Sequence, residues 1–279
     1  MQEAAALAAE LLVVVSTGRP VVLDPGLYGS FTEAVEKEPA RAAGRAVAHA
    51  QERGVGARGV VERGDAAEVL TKQSETSSGL VLGRRGRHGV RGRMGSVSAA
   101  AAHAQCPVVV LPDRRRPEAQ DPRAGARPFA DRVVVGVDRL VTHHPAIVAA
   151  ARYAQRHDRG LALLTVVPDV TTTSTGAVDL DRAIREHFLE PARTMVDEVA
   201  EAIRSRYPDL PVKTLVLFGI PRKQLVEASR SAELVVMGSR GYGGFRELLV
   251  GSVSQAVPHE GESPVMIVPT RTVAPAVEE

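Results

Sequence analysis

The chain has 279 residues, and at roughly 150 residues per domain that length suits two domains. A hydrophobic fraction of 44% is enough for two ordinary cores and excludes wholesale disorder, while 3% aromatics and no Trp weigh against nucleic-acid binding by base stacking. A net charge of +2 gives no global basic field, and the single cysteine, Cys106, excludes an internal disulfide or a cysteine-based zinc site.

In chain order, "MQEAAALAAE" reads as the tail of a helix over residues 2–10. Glu3 and Glu10, with no basic leader, set this start apart from a signal peptide. No apolar run reaches the ~20 residues of a membrane helix, so the expectation is a soluble, cytoplasmic protein with no membrane partner. "LLVVVS" (11–16) is a strand, followed by a long helix at about 32–53 and strands at 55–61 and 79–83. "GVGARG" satisfies the dinucleotide pattern at Gly54, Gly56 and Gly59, but it follows a helix and opens a strand, the reverse of what a phosphate turn needs. Next comes "LGRRGRHGVRGRMGSVSAAA" (82–101). Its Arg84, Arg85, Arg87, His88, Arg91 and Arg93 read as a solvated loop in preference to a polyanion contact. Cys106 precedes "PVVVLP" and reads as a small buried hydrophobe. "DRRRPEAQDPRAGARPFAD" (113–131), rich in Pro and Arg and without periodicity, reads as a linker.

Beyond it, "RVVVGVD" (132–138) is a strand and Pro145 to His157 a helix, which His143 and His144 flank without a ligand-spaced partner. "LALLTVV" (161–167) follows. Then a helix of about 25 residues starts at Asp179, with apolar positions at Ile184, Phe188, Met195, Val199 and Ile203. Asp179, Asp181 and Glu186 read as its charged outer face. "VKTLVLF" (212–218), a helix from Arg222, "AELVVMG" (232–238), a glycine segment, a last helix and "PVMIVP" complete the set.

The chain repeats itself. Leu70 aligns with Leu225 and Gly83 with Gly238, both at an offset of 155; "GSVS" recurs at Gly95 and Gly251, and "PVVVLP" parallels "PVMIVP". Strands separated by helices make a parallel, doubly wound α/β sheet. Two tandem units of five strands are therefore expected: 1–112, the linker 113–131, 132–270, and a tail 271–279. The first unit lacks its first strand, because the counterpart of "VVVGVD" would lie upstream of Met1; the expectation is a start further upstream. The last strands of the two units are expected to pair within one chain, with a homodimer as a further option.

"MGSRGYGGFRELLVGSVSQ" reads Gly-x-x-Gly, nine residues, Gly-Ser. Glycines let a ligand approach the backbone, and a helix start offers N–H groups to phosphate. Ser252 to Gln255 fits a capping box. A phosphate cradle at Gly238, Gly241, Gly251, Ser252 and Val253 and a plain turn that binds nothing both fit these residues.

This pattern, with "VVVGVD" before it and a "PV-hydrophobic-VP" strand after it, resembles the nucleotide-binding signature of the universal stress proteins. The likeness covers the whole second copy and most of the first, as in tandem members. It implies ATP with Mg²⁺: Asp138 on the adenosine, backbone near Val166 and Met237 on the adenine, phosphates on the cradle residues. Two departures stand out. Arg139 and Leu140 follow Asp138 where the family has Gly-Ser, and only eight residues separate Gly86 from Gly95. No Walker loop occurs. Neither Asp138 nor His259 suits a general base at the γ-phosphate, so the expectation is binding without turnover, acting through a protein partner that the sequence does not name. A slow ATPase or self-phosphorylating protein using the same pocket, or a non-binding scaffold, stays open.

Overall fold

The computed structural model describes residues 2–17, 25–84, 102–113, 128–138, 141–167, 178–240 and 251–270. The chain divides into two compact units, Met1–Gln73 and Ser74–Glu279. The first holds α1 (Gln2–Ala6), β1 (Leu11–Ser16), α2 (Pro25–Gln51), β2 (Ala57–Glu62) and α3 (Ala66–Ser74), the last of which runs one residue past the division. β1 and β2 pair in parallel from Leu11 opposite Ala57 to Ser16 opposite Glu62, with α2 as the crossover that parallel pairing requires. Asp65 Oδ1 accepts the Ala67 N–H at 2.8 Å and so caps α3.

The second unit holds β3 (Leu80–Gly83), β4 (Val108–Leu111), β5 (Arg132–Gly136), α4 (Pro145–Arg156), β6 (Gly160–Val167), α5 (Val178–Arg206), β7 (Val212–Phe218), α6 (Pro221–Ala228), β8 (Leu234–Gly238), α7 (Ser252–Glu260) and β9 (Val265–Val268). Its sheet runs β3-β4-β9-β8-β5-β6-β7. Every neighbouring pair is parallel except β4 and β9. The stretch from β9 to β7 is the five-stranded parallel sheet expected of the second copy. Strands covered on both faces read as continuous apolar runs, and Val133, Val134 and Val135 are all fully buried. Val133 and Val135 face α4 and α5 with Leu161, Leu163 and Val199; Val134 faces Leu225, Val235, Val257 and Ile267. The apolar stripe of α5 differs from the expected one. Val196, Val199, Ala200 and Ile203 are buried, whereas Phe188 is exposed, because only the C-terminal part of the described helix face lies on the core.

β4 and β9 pair antiparallel, with Val108 opposite Ile267 and Val109 opposite Met266, so the last strands of the two copies do join within one chain. This joint draws β3 and β4 into the sheet of the second copy. The compact division falls at Gln73–Ser74, and residues 114–127 of the expected linker 113–131 lie outside the described residues. The repeat reaches down to backbone angles: Gly64 and Gly219, at matching positions, have φ of 143° and 132°, a region open in practice to glycine.

Among the described residues the first copy has no counterpart of β5. β8 lies between β5 and β9, and α4 packs over it; β3 pairs with β4 alone among the described strands. Val236 of β8 is 0% exposed, and Val81, its match in β3, is 60% exposed. At the end of β3, Arg84 Nη2 donates to the Gly261 carbonyl at the C-cap of α7. Burial, and then the Arg84 charge, hold the nearby His259 below its ordinary pKa.

Two outcomes follow from this arrangement. Val236→Ala should cost about 2–3 kcal/mol in denaturant melts, as buried methyl deletions do, while Val81→Ala should stay within about 0.5 kcal/mol; equal effects would mean that β3 is covered. His259 favours its neutral form when folded, so its contribution to stability is present above the unfolded pKa of 6.5 and is lost as pH falls below it. Melting temperatures from pH 8 down to about 5 should fall less steeply in His259→Gln than in the unmodified chain.

Candidate functional site

In the second copy the chain goes β5, β6, β7 outward, then returns to place β8 on the other side of β5. Strand order reverses between β5 and β8, and in open α/β sheets the crevice at the carboxyl ends of such a pair is where ligands bind. Val135 is opposite Val236, and Gly136 is opposite Leu164. Continuing that register past the strand ends brings Asp138 level with Val166 on one side and Ser239 on the other. With strands about 4.8 Å apart, these three positions span about 10 Å. Asp138 is exposed, Val166 is half-buried and Met237 is buried beneath them.

Gly238 ends β8 at the crowded centre of this end. A Cβ there would stand 2.8 Å from Thr270 Cγ2, 3.0 Å from His144 Cε1 and 3.1 Å from the Arg240 carbonyl oxygen. Only a residue without a side chain lets these groups close on the strand end. Ser239 then ties three segments together. Its N–H donates to the Val268 carbonyl at 2.8 Å and its carbonyl accepts the Gly251 N–H at 3.1 Å. Its hydroxyl accepts the Thr270 N–H at 3.1 Å. The start of α7 is fixed to the same strand by Ser254, whose buried hydroxyl donates to the Gly238 carbonyl at 2.7 Å.

The capping box expected at Ser252 to Gln255 does not form. Gly251 is the N-cap, no side chain caps the helix, and the serine that engages is Ser254, which turns back to the strand. The first turn of α7 thus keeps the partial positive charge and donor groups of an uncapped helix start. α4 starts at the same end of the sheet, where His144 Nδ1 accepts the Ala146 N–H at 3.3 Å. An acceptor at Nδ1 puts the imidazole proton on Nε2.

The fold therefore gathers Asp138, Val166, Met237, Gly238, Gly251, Ser252 and Val253 at one end of one sheet. Gly241, Arg139 and Leu140 lie outside the described residues, as do Gly86, Gly95 and most of the arginine run. Sequence reasoning missed Ser239, Ser254, Thr270 and the inward role of His144. The sequence carried one hint of them, the second serine of "GSVS". Among the described residues no group of three or more His, Cys, Asp or Glu is placed to hold a metal ion, and no helix is long and apolar enough to cross a membrane.

The universal stress protein family model matches residues 1–112 and 130–269. The chain is 35% identical over 227 residues to Universal stress protein MT2052 of Mycobacterium tuberculosis, covering 78% of this chain and 68% of that one. It is 34% identical over 203 residues to Universal stress protein Rv2005c of the same species, covering 71% of this chain and 64% of that one. The chain thus spans about two thirds of the length of these relatives. The fold is similar to that of a universal stress protein from Archaeoglobus fulgidus, with a TM-score of 0.60 and 17% identity over 94% of this chain and 86% of that one.

Ser254→Ala should cost about 1–3 kcal/mol in a denaturant melt, the range for a lost bond that leaves a buried partner unsatisfied. A change near zero would mean that the hydroxyl does not hold α7 to the strand end.

Proposed function

Because the chain belongs to the universal stress protein family, we propose that its second copy binds ATP and passes the occupied state to a protein partner in a stress response. One observation carries this reading: at the point where strand order reverses, a carboxylate at the end of β5 stands beside a glycine strand end and an uncapped helix start on β8 and α7. The two ends of a nucleotide differ in the same way. Asp138 would accept hydrogen bonds from the ribose hydroxyls, and the backbone at Val166 and Met237 would border the base. The N–H groups of Gly251, Ser252 and Val253 would face the phosphates, with Gly238 and Gly241 leaving the backbone open to them. Gly251 N–H spends its bond on Ser239 in this structure, so Ser252 and Val253 are the donors best placed to turn outward.

Mg²⁺ would enter with the phosphates. A cytoplasmic location suits a site for a soluble nucleotide. The first copy has no counterpart of β5 and Asp138 among its described residues, so the reading assigns one nucleotide to each chain.

Calorimetric titration should give about one ATP per chain, and Asp138→Ala should weaken binding about tenfold, or ~1.4 kcal/mol. Absence of binding, or unchanged affinity in Asp138→Ala, would contradict the reading.

A further inference from the structure

β7 is the outer strand of the seven-stranded sheet and pairs with β6 alone among the described strands. It is a seven-residue edge with Leu215, Val216 and Leu217 only half-buried, the kind of edge that proteins usually shield. Beside it opens a cleft of about 360 Å³, lined by Arg193, Val196 and Asp197 of α5 and by Thr214, Leu215 and Val216 of β7. Val196 is its buried floor, and Arg193 and Asp197 are exposed.

The charges have a pattern. Arg193 and Asp197 are four residues apart, one turn of α5, so they share a helix face. α5 returns from the carboxyl end of β6 to the amino end of β7 and therefore runs antiparallel to β7. The midpoint between the two charges lies level with the middle of the Thr214–Val216 stretch that lines the same cleft. A two-fold axis normal to the sheet at Leu215 meets both conditions of a self-complementary contact at once. It sets β7 antiparallel to its mate, with Thr214 opposite Val216 of the partner subunit. It also sets α5 antiparallel to its mate on the same face, with Arg193 facing Asp197 of the partner subunit and the reverse. Opposite signs at equal distances from one axis are what an isologous interface needs.

We propose that this edge is the interface to a second copy of the chain, with β7 pairing antiparallel about Leu215 and the partner's α5 closing the cleft. The spacing allows it. α5 packs on both β6 and β7, so with strands about 4.8 Å apart the two α5 helices come to about 10 Å, the upper end of helix packing distances. β4 and β9 already join two related edges by the same antiparallel operation inside one chain. Lys213 is the one charged residue of the strand; it falls opposite Leu217 of the partner subunit, with its stem along that side chain and its ammonium in water. Arg193 has an exposed ion pair with Glu190 at 2.9 Å, which is weak enough to yield to a better-shielded partner.

Sedimentation of the full chain without nucleotide, from about 1 to 200 µM, should show a reversible dimer. Arg193→Asp and Asp197→Arg should each weaken it about tenfold or more with unchanged melting temperature, and the milder Asp197→Asn should act in the same direction. An equal mixture of Arg193→Asp and Asp197→Arg should restore the association, because each then supplies the charge that the other lacks. A chain that stays monomeric, a dimer indifferent to the charge changes, or a mixture that does not recover would each overturn the proposal.

Discussion

The parallel pairing of β5 with β8 is the contact on which the rest of the second copy depends. It turns the strand order back on itself, so a strand from early in the copy lies against one from late in it. The five strands then share two apolar faces, and the alternation through Val133, Val134 and Val135 feeds both cores from one run of valines. The same pairing brings the loop after β5 to the glycine end of β8. The core and the candidate site meet at that joint, because the carboxyl ends of these two strands are where the helix starts converge.

Among the described residues the first copy has no such pairing. Its strands fall into two pairs, β1 with β2 and β3 with β4, and the second pair is carried by the sheet of the other copy through the antiparallel joint with β9. Side chains that are equivalent by sequence then differ by environment. Leu111 is 41% exposed where Val268, its match, is 5% exposed. Burial is thus set by which neighbours the topology supplies and not by the side chain. The same reasoning makes the ends of the two copies unequal in chemistry. Gly83 and Gly238 share a sequence position, and among the described residues Gly238 has a carboxylate strand end and a helix start beside it.

Much of this was legible in the sequence, for physical reasons. Valine-rich runs of five to eight residues between helical periods leave few alternatives to a parallel sheet, and the repeat at a fixed offset exposed the two copies. The final "PV" strands were readable as edges that needed partners. What stayed hidden depended on choices between equivalent local solutions. The capping box was expected at Ser252, and the hydroxyl that engages is that of Ser254, which bonds to Gly238 of the strand end. His144 read as a helix flank, and its closeness to Gly238 comes from a contact between segments almost a hundred residues apart. Phe188 fitted the helical period of α5 but lies beyond the part of the face that meets the core.

The β5–β8 end of the second copy is proposed as the nucleotide site of the chain. Hydrogen–deuterium exchange with and without ATP tests it by location. Exchange is expected to slow at Gly136–Asp138, at Met237–Ser239 and through the first turn of α7, with the backbone of β1 and β3 unchanged. Protection at Leu80–Gly83, or no protection at the β5–β8 end when ATP is bound, would contradict it.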